Sequence, residues 1–210
     1  MKIRFVLAAG VLLVGSLVGV GAPAEAATSS CHPGLPANVP ATTQFYDPAK
    51  TYLGPDPLPT TAPVGPLLLG YRRFGALTEA QFVAKYRTGT GWIYPPDDGF
   101  LTVAGHVVRY QQRLSPGTEV DRFGYPGGAF LAPEHTLFIQ RALPPQNLTS
   151  PGETPLSNYH LYCVLKPVDV DAGPIAPWFE QVGLGLQYKL VQGVSVSSLL
   201  TNGYLTEERP

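Results

Sequence analysis

The chain has 210 residues, a formal net charge of −1 and only 14% charged residues. This balance provides no basic field to hold a nucleic-acid backbone, which excludes nucleic acid as a partner at the level of the whole chain. Its 23 glycines and 23 prolines restrict much of the backbone to turns and extended segments, which excludes a mainly α-helical fold.

The N-terminus has the pattern of a secretory signal, which predicts a signal peptide over residues 1–26 and a secreted protein. Lys2 and Arg4 form a basic start, an apolar run follows, and Ala24-Glu25-Ala26 is a small-x-small cleavage site. A membrane anchor is the alternative, because the apolar run approaches the length of a membrane span. The glycines of the run and the cleavage site favour removal, after which we expect no membrane contact.

The segment after the signal is proline-rich, nearly uncharged and without periodicity. We interpret residues 27–66 as an extended arm that precedes one main domain at 67–210. The arm contains Phe45, Tyr46, Tyr52 and Leu53. Because a solvated linker carries more charge and fewer apolar residues, we expect this arm to pack on the domain.

Periodicity and turn residues predict two helices and six strands in the main domain. One helix spans Leu77–Tyr86, where Thr78 and Gln81 form a capping box and Gly89 ends the helix, and the other spans Ser197–Thr201. The strand candidates are Phe100–Val103, His106–Arg113, Thr118–Phe123, Leu137–Arg141, Tyr159–Val168 and Leu186–Val191. This order predicts an α+β fold, a small antiparallel β-sheet core with one or two short helices.

The chain has two cysteines, Cys31 and Cys163. An exported chain with a sparse, even cysteine count predicts one disulfide between them. A catalytic thiol is the alternative, and His160 is the nearest base to Cys163. On a strand, however, side chains three positions apart point to opposite faces, which disfavours that pair.

Several familiar catalytic signatures are absent, including the phosphate-binding loop, the nucleophile elbow and the zinc-protease motif. Gly183-Leu184-Gly185 resembles the start of a dinucleotide fingerprint, but Tyr188 stands where its last glycine belongs. A Rossmann cofactor site is therefore rejected. His160 is the histidine of most interest, although we expect it to lie on the outward face of a strand.

Carboxylate chemistry stays open at this point. A glycosidase pair needs two acidic residues that are usually distant in sequence, and the candidates are Asp97, Asp98, Asp121, Glu134 and Glu180. The run Asp97-Asp98-Gly99 follows two prolines and is most simply a turn. Asp169 and Asp171 share a strand face but form a poor calcium site without further oxygen ligands. We predict no required metal.

Two arginines and several aromatic residues in the second half of the chain suit a flat, phosphate-bearing ligand such as a dinucleotide. Guanidinium groups bind phosphate oxygens in a forked geometry, and aromatic rings stack on bases and pyridine rings. Arg122 ends a strand before a glycine-rich loop, where the backbone can approach a ligand closely. A surface salt bridge is the alternative for Arg122 and Arg141, and simple core packing is the alternative for Trp178.

Five blocks in matching order resemble the tuberculosis necrotizing toxin family, whose members hydrolyse NAD, across roughly Leu69 to Leu205. They are Trp92-x-Tyr94-Pro95-Pro96-Asp97-Asp98-Gly99-Phe100, Asp121-Arg122-Phe123-Gly124, Phe130-Leu131-Ala132-Pro133, Arg141-x-Leu143-Pro144, and Ala176-Pro177-Trp178-Phe179 to Gln187. The arm is also similar to the N-terminal part of the secreted fungal NADases of this family. The resemblance implies a fold like that of the toxin, with the catalytic domain at 67–210.

The resemblance also implies an active site. It places the active-site residues at Arg122, Phe123, Phe130, Arg141 and Gln187, and we add Trp178 as a substrate contact. The arginines would bind the pyrophosphate and adjacent ribose, the phenylalanines would line the nicotinamide and ribose pocket, and Gln187 would be essential for turnover. The implied reaction cleaves the nicotinamide–ribose bond of NAD+, without a cofactor because NAD+ is the substrate.

Two departures from the family pattern stand out. The approach to Gln187 carries Leu184 and Leu186 where a more glycine-dense loop is expected. The C-terminal calcium site of the fungal members also lacks a clear match, since Glu207 and Glu208 are the acidic residues left there.

Two other functions are compatible with the sequence. An ADP-ribosyltransferase toxin would use the same cofactor, but its usual Glu-x-Glu or Gln-x-Glu pair is absent. A secreted module that binds a nucleotide or carbohydrate without reaction is the non-enzymatic reading. The sequence leaves open cleavage of NADP+, an immunity protein as a partner and a homodimer.

Overall fold

The structure of the chain is a computed structural model that describes residues 31–34, 42–89, 91–150 and 158–208. The predicted signal peptide and parts of the arm lie outside the described residues. Among the residues that are described, no helix combines the length and the apolar character needed to cross a membrane.

Short strands dominate the secondary structure. The helices are α1 Val64–Leu67, α2 Glu79–Tyr86 and α3 Val196–Thr201. The strands are β1 Arg87–Thr88, β2 Gly91–Trp92, β3 Thr102–Val103, β4 His106–Val107, β5 Tyr110–Leu114, β6 Glu119–Phe123, β7 Phe130–Pro133, β8 Tyr159–Val164, β9 Val168–Pro174, β10 Leu186–Leu190 and β11 Leu205–Glu208. Single 3-10 turns occupy Thr51–Leu53, Asp97–Gly99, Phe138–Gln140 and Pro145–Leu148.

Seven strands form one antiparallel sheet in the order β11-β8-β6-β7-β10-β9-β5. The four-residue strand β7 connects its two halves. Phe130 and Leu131 pair with β10, while Ala132 and Pro133 pair with β6. The predicted α+β fold with an antiparallel sheet core is therefore confirmed.

The two faces of the sheet bury different clusters, because successive strand residues point to opposite sides. On β6, Val120 belongs to the larger cluster with Tyr162 and Leu190. Phe123, on the other face, packs with Tyr159 and with residues from outside the sheet such as Phe138. One short strand thus contributes side chains to both cores.

Residues 42–66 lie against the domain and contain the turn Thr51–Leu53 and helix α1. Leu53 is fully buried. The guanidinium of Arg73 donates hydrogen bonds to the carbonyls of Leu53 and Pro55. The ring of Tyr46 packs edge-on against Phe74 with centroids 5.2 Å apart.

Both predicted helices are present. Helix α2 begins after Thr78, which accepts from the backbone N–H of Gln81 while the Gln81 side chain accepts from the Thr78 N–H. The helix starts two residues later than predicted and ends at Tyr86 as predicted, but Gly89 does not terminate it and lies at the turn between β1 and β2. Helix α3 begins one residue earlier than predicted, after the cap Ser195.

Two strand predictions were wrong. The segment predicted as a strand at Leu137–Arg141 is a 3-10 turn, because the Gln140 side chain accepts the Leu137 N–H and closes the turn locally. The strand predicted over Tyr159–Val168 is shorter in the structure, where β8 ends at Val164. A tight turn then reverses the chain, and Val168 begins the next strand, β9. Strand β7 had not been predicted at all.

The predicted disulfide is present between Cys31 and Cys163, which are 132 residues apart in sequence. Cys163 is fully buried on β8. Beside the disulfide, Pro33 forms a bridge with Glu208, and the Gly34 N–H donates to the carbonyl of Glu207 at 3.0 Å. The N-terminal segment is therefore fixed to the edge strand β11.

Replacing both Cys31 and Cys163 by serine should lower the free energy of unfolding by about 2–5 kcal/mol, because the long loop they close would no longer restrict the unfolded chain. Urea unfolding of the parent and the double variant under oxidising conditions measures this difference. An unchanged denaturation midpoint would contradict a stabilising role for the disulfide.

Candidate active site

A cavity of about 530 Å³ opens where β6 ends and β7 and β10 begin. Its wall includes Arg122, Phe123, Phe130, Arg141 and Gln187. A smaller recess of about 50 Å³ shares these five residues and also includes Asp121. The structure thus gathers at one cavity five residues that are spread over 66 positions of the sequence.

Arg122 supplies an unpaired positive charge to this cavity. Its Nε donates to the carbonyl of Tyr125 at 2.9 Å, and its Nη1 donates to the carbonyl of Phe130 at 2.7 Å. In the described part of the chain no carboxylate pairs with Arg122. Burial lowers the pKa of Arg122, because desolvation penalises the charged form. A bound anion would offset that penalty.

Arg141 has a different environment, because its charge is already neutralised. Its Nη1 lies 2.6 Å from Oδ1 of Asp121, and its Nη2 donates to Oδ2 at 2.7 Å. Nε and Nη2 also donate to the carbonyl of Thr136, and the Tyr159 hydroxyl donates to Asp121 at 3.0 Å. Asp121 is fully buried, which raises its pKa, and the Arg141 charge opposes that shift.

The two phenylalanines of the cavity wall, Phe123 and Phe130, differ in how far they are buried. Phe123 is buried between Phe138 and Tyr159, with ring centroids 5.0 and 4.9 Å away. Phe130 opens β7 and remains 36% exposed. Phe123 therefore forms a fixed wall of the cavity, and Phe130 offers a ring face to a ligand.

Gln187 lies on β10 and is buried, with 7% of its surface exposed. Its Nε2 donates to the backbone carbonyl of Asp98 at 3.1 Å. Because a carbonyl accepts only from the NH₂ end of an amide, this bond fixes which way the side-chain amide points. Among the described residues no donor occupies Oε1, which leaves that oxygen available to a ligand hydroxyl or to water.

The sequence did not single out three other residues of the cavity wall as contacts: Tyr94, Asp98 and Asn147. The Asn147 side chain donates to the carbonyl of Phe123 at 3.0 Å. Burial raises the pKa of the Tyr94 hydroxyl, and the charge of Arg122 opposes this. Tyr94 and Asp98 belong to one of the five blocks that resemble the family, so the sequence did contain a signal that this segment lies at the site.

Trp178 does not line the cavity. Its ring packs on Tyr86 with centroids 5.8 Å apart, and its Nε1 donates to the carbonyl of Ile93 at 2.7 Å. It belongs to the aromatic cluster around α2, beside Phe82 and Phe179. This placement matches the core-packing alternative and gives no support to Trp178 as a substrate contact.

His160 is buried rather than outward-facing, with 2% of its surface exposed, so the expected strand-surface position was wrong. Its Nδ1 lies 2.7 Å from a carboxylate oxygen of Glu207. His160 lies on the same face of β8 as the core residue Tyr162, and the two rings stack with centroids 5.9 Å apart. Glu207 reaches that face because β11 pairs with β8 along its edge. Of the five carboxylates considered as a glycosidase pair, Asp98 and Asp121 reach the cavity wall.

One group of metal-ligand side chains is close together among the residues described, comprising Cys31, Cys163 and Glu208. The disulfide consumes both thiolates, and Glu208 accepts the backbone N–H of His32. Glu207 is paired with His160. These residues do not fit a calcium ion, which requires at least six oxygen ligands.

The site combines one unneutralised guanidinium, an exposed phenyl ring and an oriented amide in a cavity large enough for a cofactor-sized ligand. The cavity wall provides no serine, cysteine or histidine in the described residues, so the arrangement does not suit nucleophilic catalysis of the triad type. It suits binding of an anionic, ring-bearing ligand and polarisation of a hydroxyl or water.

Comparison with known proteins finds one matching family and a similar curated protein. The tuberculosis necrotizing toxin family matches residues 113–207. The chain is 41% identical over 181 residues to the conidial surface nicotinamide adenine dinucleotide glycohydrolase nadA of Aspergillus fumigatus, covering 83% of this chain and 76% of that protein.

Two solved structures are more distant. One is tuberculosis necrotizing toxin complexed with its immunity factor IFT, with 22% identity, 61% coverage of this chain and 70% of that chain, and a TM-score of 0.47. The other is Tse6 in complex with Tsi6, with 17% identity, coverages of 47% and 70%, and a TM-score of 0.31.

Arg141→Gln should lower the free energy of unfolding by about 3–5 kcal/mol, because it leaves the buried Asp121 charge without its partner. Adding Asp121→Asn should restore much of the loss, since the remaining amides are neutral. Urea unfolding of the two single variants and the double variant measures the coupling. Additive losses in the double variant would contradict a direct, charge-compensating pair.

Proposed function

Because this chain belongs to the tuberculosis necrotizing toxin family, we propose that it is an exported glycohydrolase that cleaves the nicotinamide–ribose bond of NAD+ to release nicotinamide and ADP-ribose. The observation that carries the proposal is the convergence of Arg122, Phe123, Phe130, Arg141 and Gln187 on one cavity. The relative that is 41% identical is named as an NAD glycohydrolase, which supports the same activity.

The charges of the cavity support different roles for the two arginines. Among the described residues no carboxylate pairs with Arg122, so it binds the pyrophosphate of NAD+ through its free N–H groups. Arg141 is neutralised by Asp121, so its role is to hold the wall of the cavity and to offer a hydrogen bond rather than a net charge. Phe130 contacts the nicotinamide or its ribose, and Phe123 supports it from the core.

Nicotinamide departs from NAD+ as a neutral ring, so its release needs no general acid. The main demand is stabilisation of a ribose with oxocarbenium character. Gln187 meets this demand by positioning, because its Oε1 accepts a hydrogen bond from a ribose hydroxyl or from the attacking water. An amide is not a base at neutral pH, so the proton released by the water passes to solvent.

The finer properties are also proposals. We infer secretion through the signal pattern at 1–26, and a role as a toxin from the family name. Three further properties are compatible with the family: cleavage of NADP+, inhibition by an immunity protein and formation of a homodimer. No contact among the described residues supports any of the three specifically. We propose no cofactor and no required metal.

Gln187→Ala should abolish most NAD+ cleavage, with a loss in kcat of about 100-fold or more, because it removes the oriented amide. The measurement is nicotinamide and ADP-ribose release by the purified chain lacking residues 1–26. Gln111→Ala, an exposed glutamine on the outer strand β5, is the matched control and should keep parental activity.

The same assay distinguishes the glycohydrolase from the two alternative functions. Transfer of ADP-ribose label to protein would indicate the ADP-ribosyltransferase. Tight binding of NAD+ with no nicotinamide release would indicate a binding module. Full activity of Gln187→Ala would remove the proposed mechanism while leaving the reaction in place.

Gly128→Ala should raise the KM for NAD+ about tenfold or more with little loss of stability. A Cβ at position 128 would lie 2.0 Å from Nη2 of Arg122, so the flexible guanidinium would move out of place while the fold stays intact. Gly91→Ala is the control, because its added Cβ would meet no atom closer than 3.9 Å. A parental KM in Gly128→Ala would show that the position of Arg122 does not govern binding.

A further inference from the structure

We propose that Asp98 is a catalytic residue whose carboxylate stabilises the positive charge that develops on the ribose as nicotinamide leaves. This inference rests on the proposed function, since it concerns the same reaction and the same cavity. The sequence offered Asp98 as one of five candidate carboxylates and favoured a turn at that position, and the structure brings it to the cavity wall beside Gln187 and Arg122.

Asp98 is the carboxylate that a ligand can reach. Two carboxylates line the cavity or its recess within the described residues, Asp98 and Asp121. Asp121 is fully buried, with none of its surface exposed. The side chain of Asp98 is 41% exposed, so its oxygens face solvent or a ligand.

Strand β10 holds Asp98 at two points. Gln187 donates to its backbone carbonyl at 3.1 Å, and the Lys189 ammonium lies 2.5 Å from its carboxylate Oδ2. Residues 187 and 189 point to the same face of the strand, so both reach one residue. The position of Asp98 is thus coupled directly to that of the proposed catalytic amide.

The backbone of Asp98 is in the left-handed region, with φ 58° and ψ 21°. Residues with a Cβ rarely adopt this conformation, and it is found most often where function or tight packing maintains it. Aspartate and asparagine tolerate it better than most residues. The contacts with Gln187 and Lys189 hold the residue in this conformation at the cavity wall.

The chemical role follows from the charge balance of the reaction. The bond between C1′ of the ribose and the nicotinamide nitrogen breaks, and its electron pair leaves with nicotinamide, which becomes neutral. The positive charge moves to the ribose, where a nearby carboxylate stabilises it more in the transition state than in the ground state. Water then adds its oxygen to C1′ and releases one proton to solvent.

Asp98→Asn isolates this charge, because asparagine accepts the left-handed backbone and keeps the carbonyl that Gln187 requires. We expect kcat for NAD+ cleavage to fall about 100-fold, while KM stays within about threefold and the melting temperature is unchanged. Calorimetric titration with ADP-ribose, which carries no developing charge, should give parental affinity.

Asp97→Asn is the matched control. Asp97 is adjacent, has the same left-handed backbone with φ 53°, and accepts a hydrogen bond from Thr102 at 3.2 Å. It is not part of the cavity wall. We expect this variant to keep parental kcat.

Lys189→Met tests whether Asp98 acts through its charge or only through the ion pair that anchors its loop. It removes the ion pair but leaves the carboxylate, so we expect a loss in kcat of less than about tenfold. Equal losses in Asp98→Asn and Lys189→Met would overturn the proposal and leave the pair as an anchor. Parental kcat in Asp98→Asn would overturn it too, whereas a parent chain that releases no nicotinamide would instead refute the proposed function.

Discussion

The geometry of the site depends on the buried ion pair between Arg141 and Asp121. It joins the end of the 3-10 turn at Phe138–Gln140 to the middle of β6, two segments that no backbone ladder connects. Removing two charges from water is unfavourable unless both are fully paired and hydrogen-bonded. The two carboxylate–guanidinium contacts, the Thr136 carbonyl and the Tyr159 hydroxyl supply most of these partners, and in doing so they fix the cavity wall that carries Phe123.

A cavity with two arginines therefore carries the net charge of one. Within the part of the chain that the structure describes, Arg141 and Asp121 cancel, Lys189 and Asp98 offset each other, and Arg122 remains as the unbalanced cation of the cavity wall. Its two hydrogen-bond partners among the described residues are the backbone carbonyls of Tyr125 and Phe130 rather than carboxylates. This pattern suits a ligand whose negative charge is concentrated on a phosphate and whose reacting end is cationic, which describes NAD+.

Features set by nearby residues could be predicted from the sequence, and features set by distant pairing could not. The capping box of Thr78 and Gln81 spans four residues, so α2 was predicted closely. Strand β7 has four residues whose pairing depends on β6 and β10, and nothing within it predicts that partnership. The five site residues followed from a family resemblance, but the charge pairing of Arg141 with Asp121 became visible only in three dimensions.

Asn147 lines the cavity and uses its side-chain nitrogen to hold the carbonyl of Phe123. It also opens the sequence Asn147-Leu148-Thr149, which is an acceptor motif for N-linked glycans. The sugar attaches through that same nitrogen and replaces one of its two hydrogens, so a glycan would crowd the atom that holds the Phe123 carbonyl. Production of this protein in a eukaryotic secretory host would therefore place a bulky modification at the mouth of the site, and a host without that modification is the appropriate source.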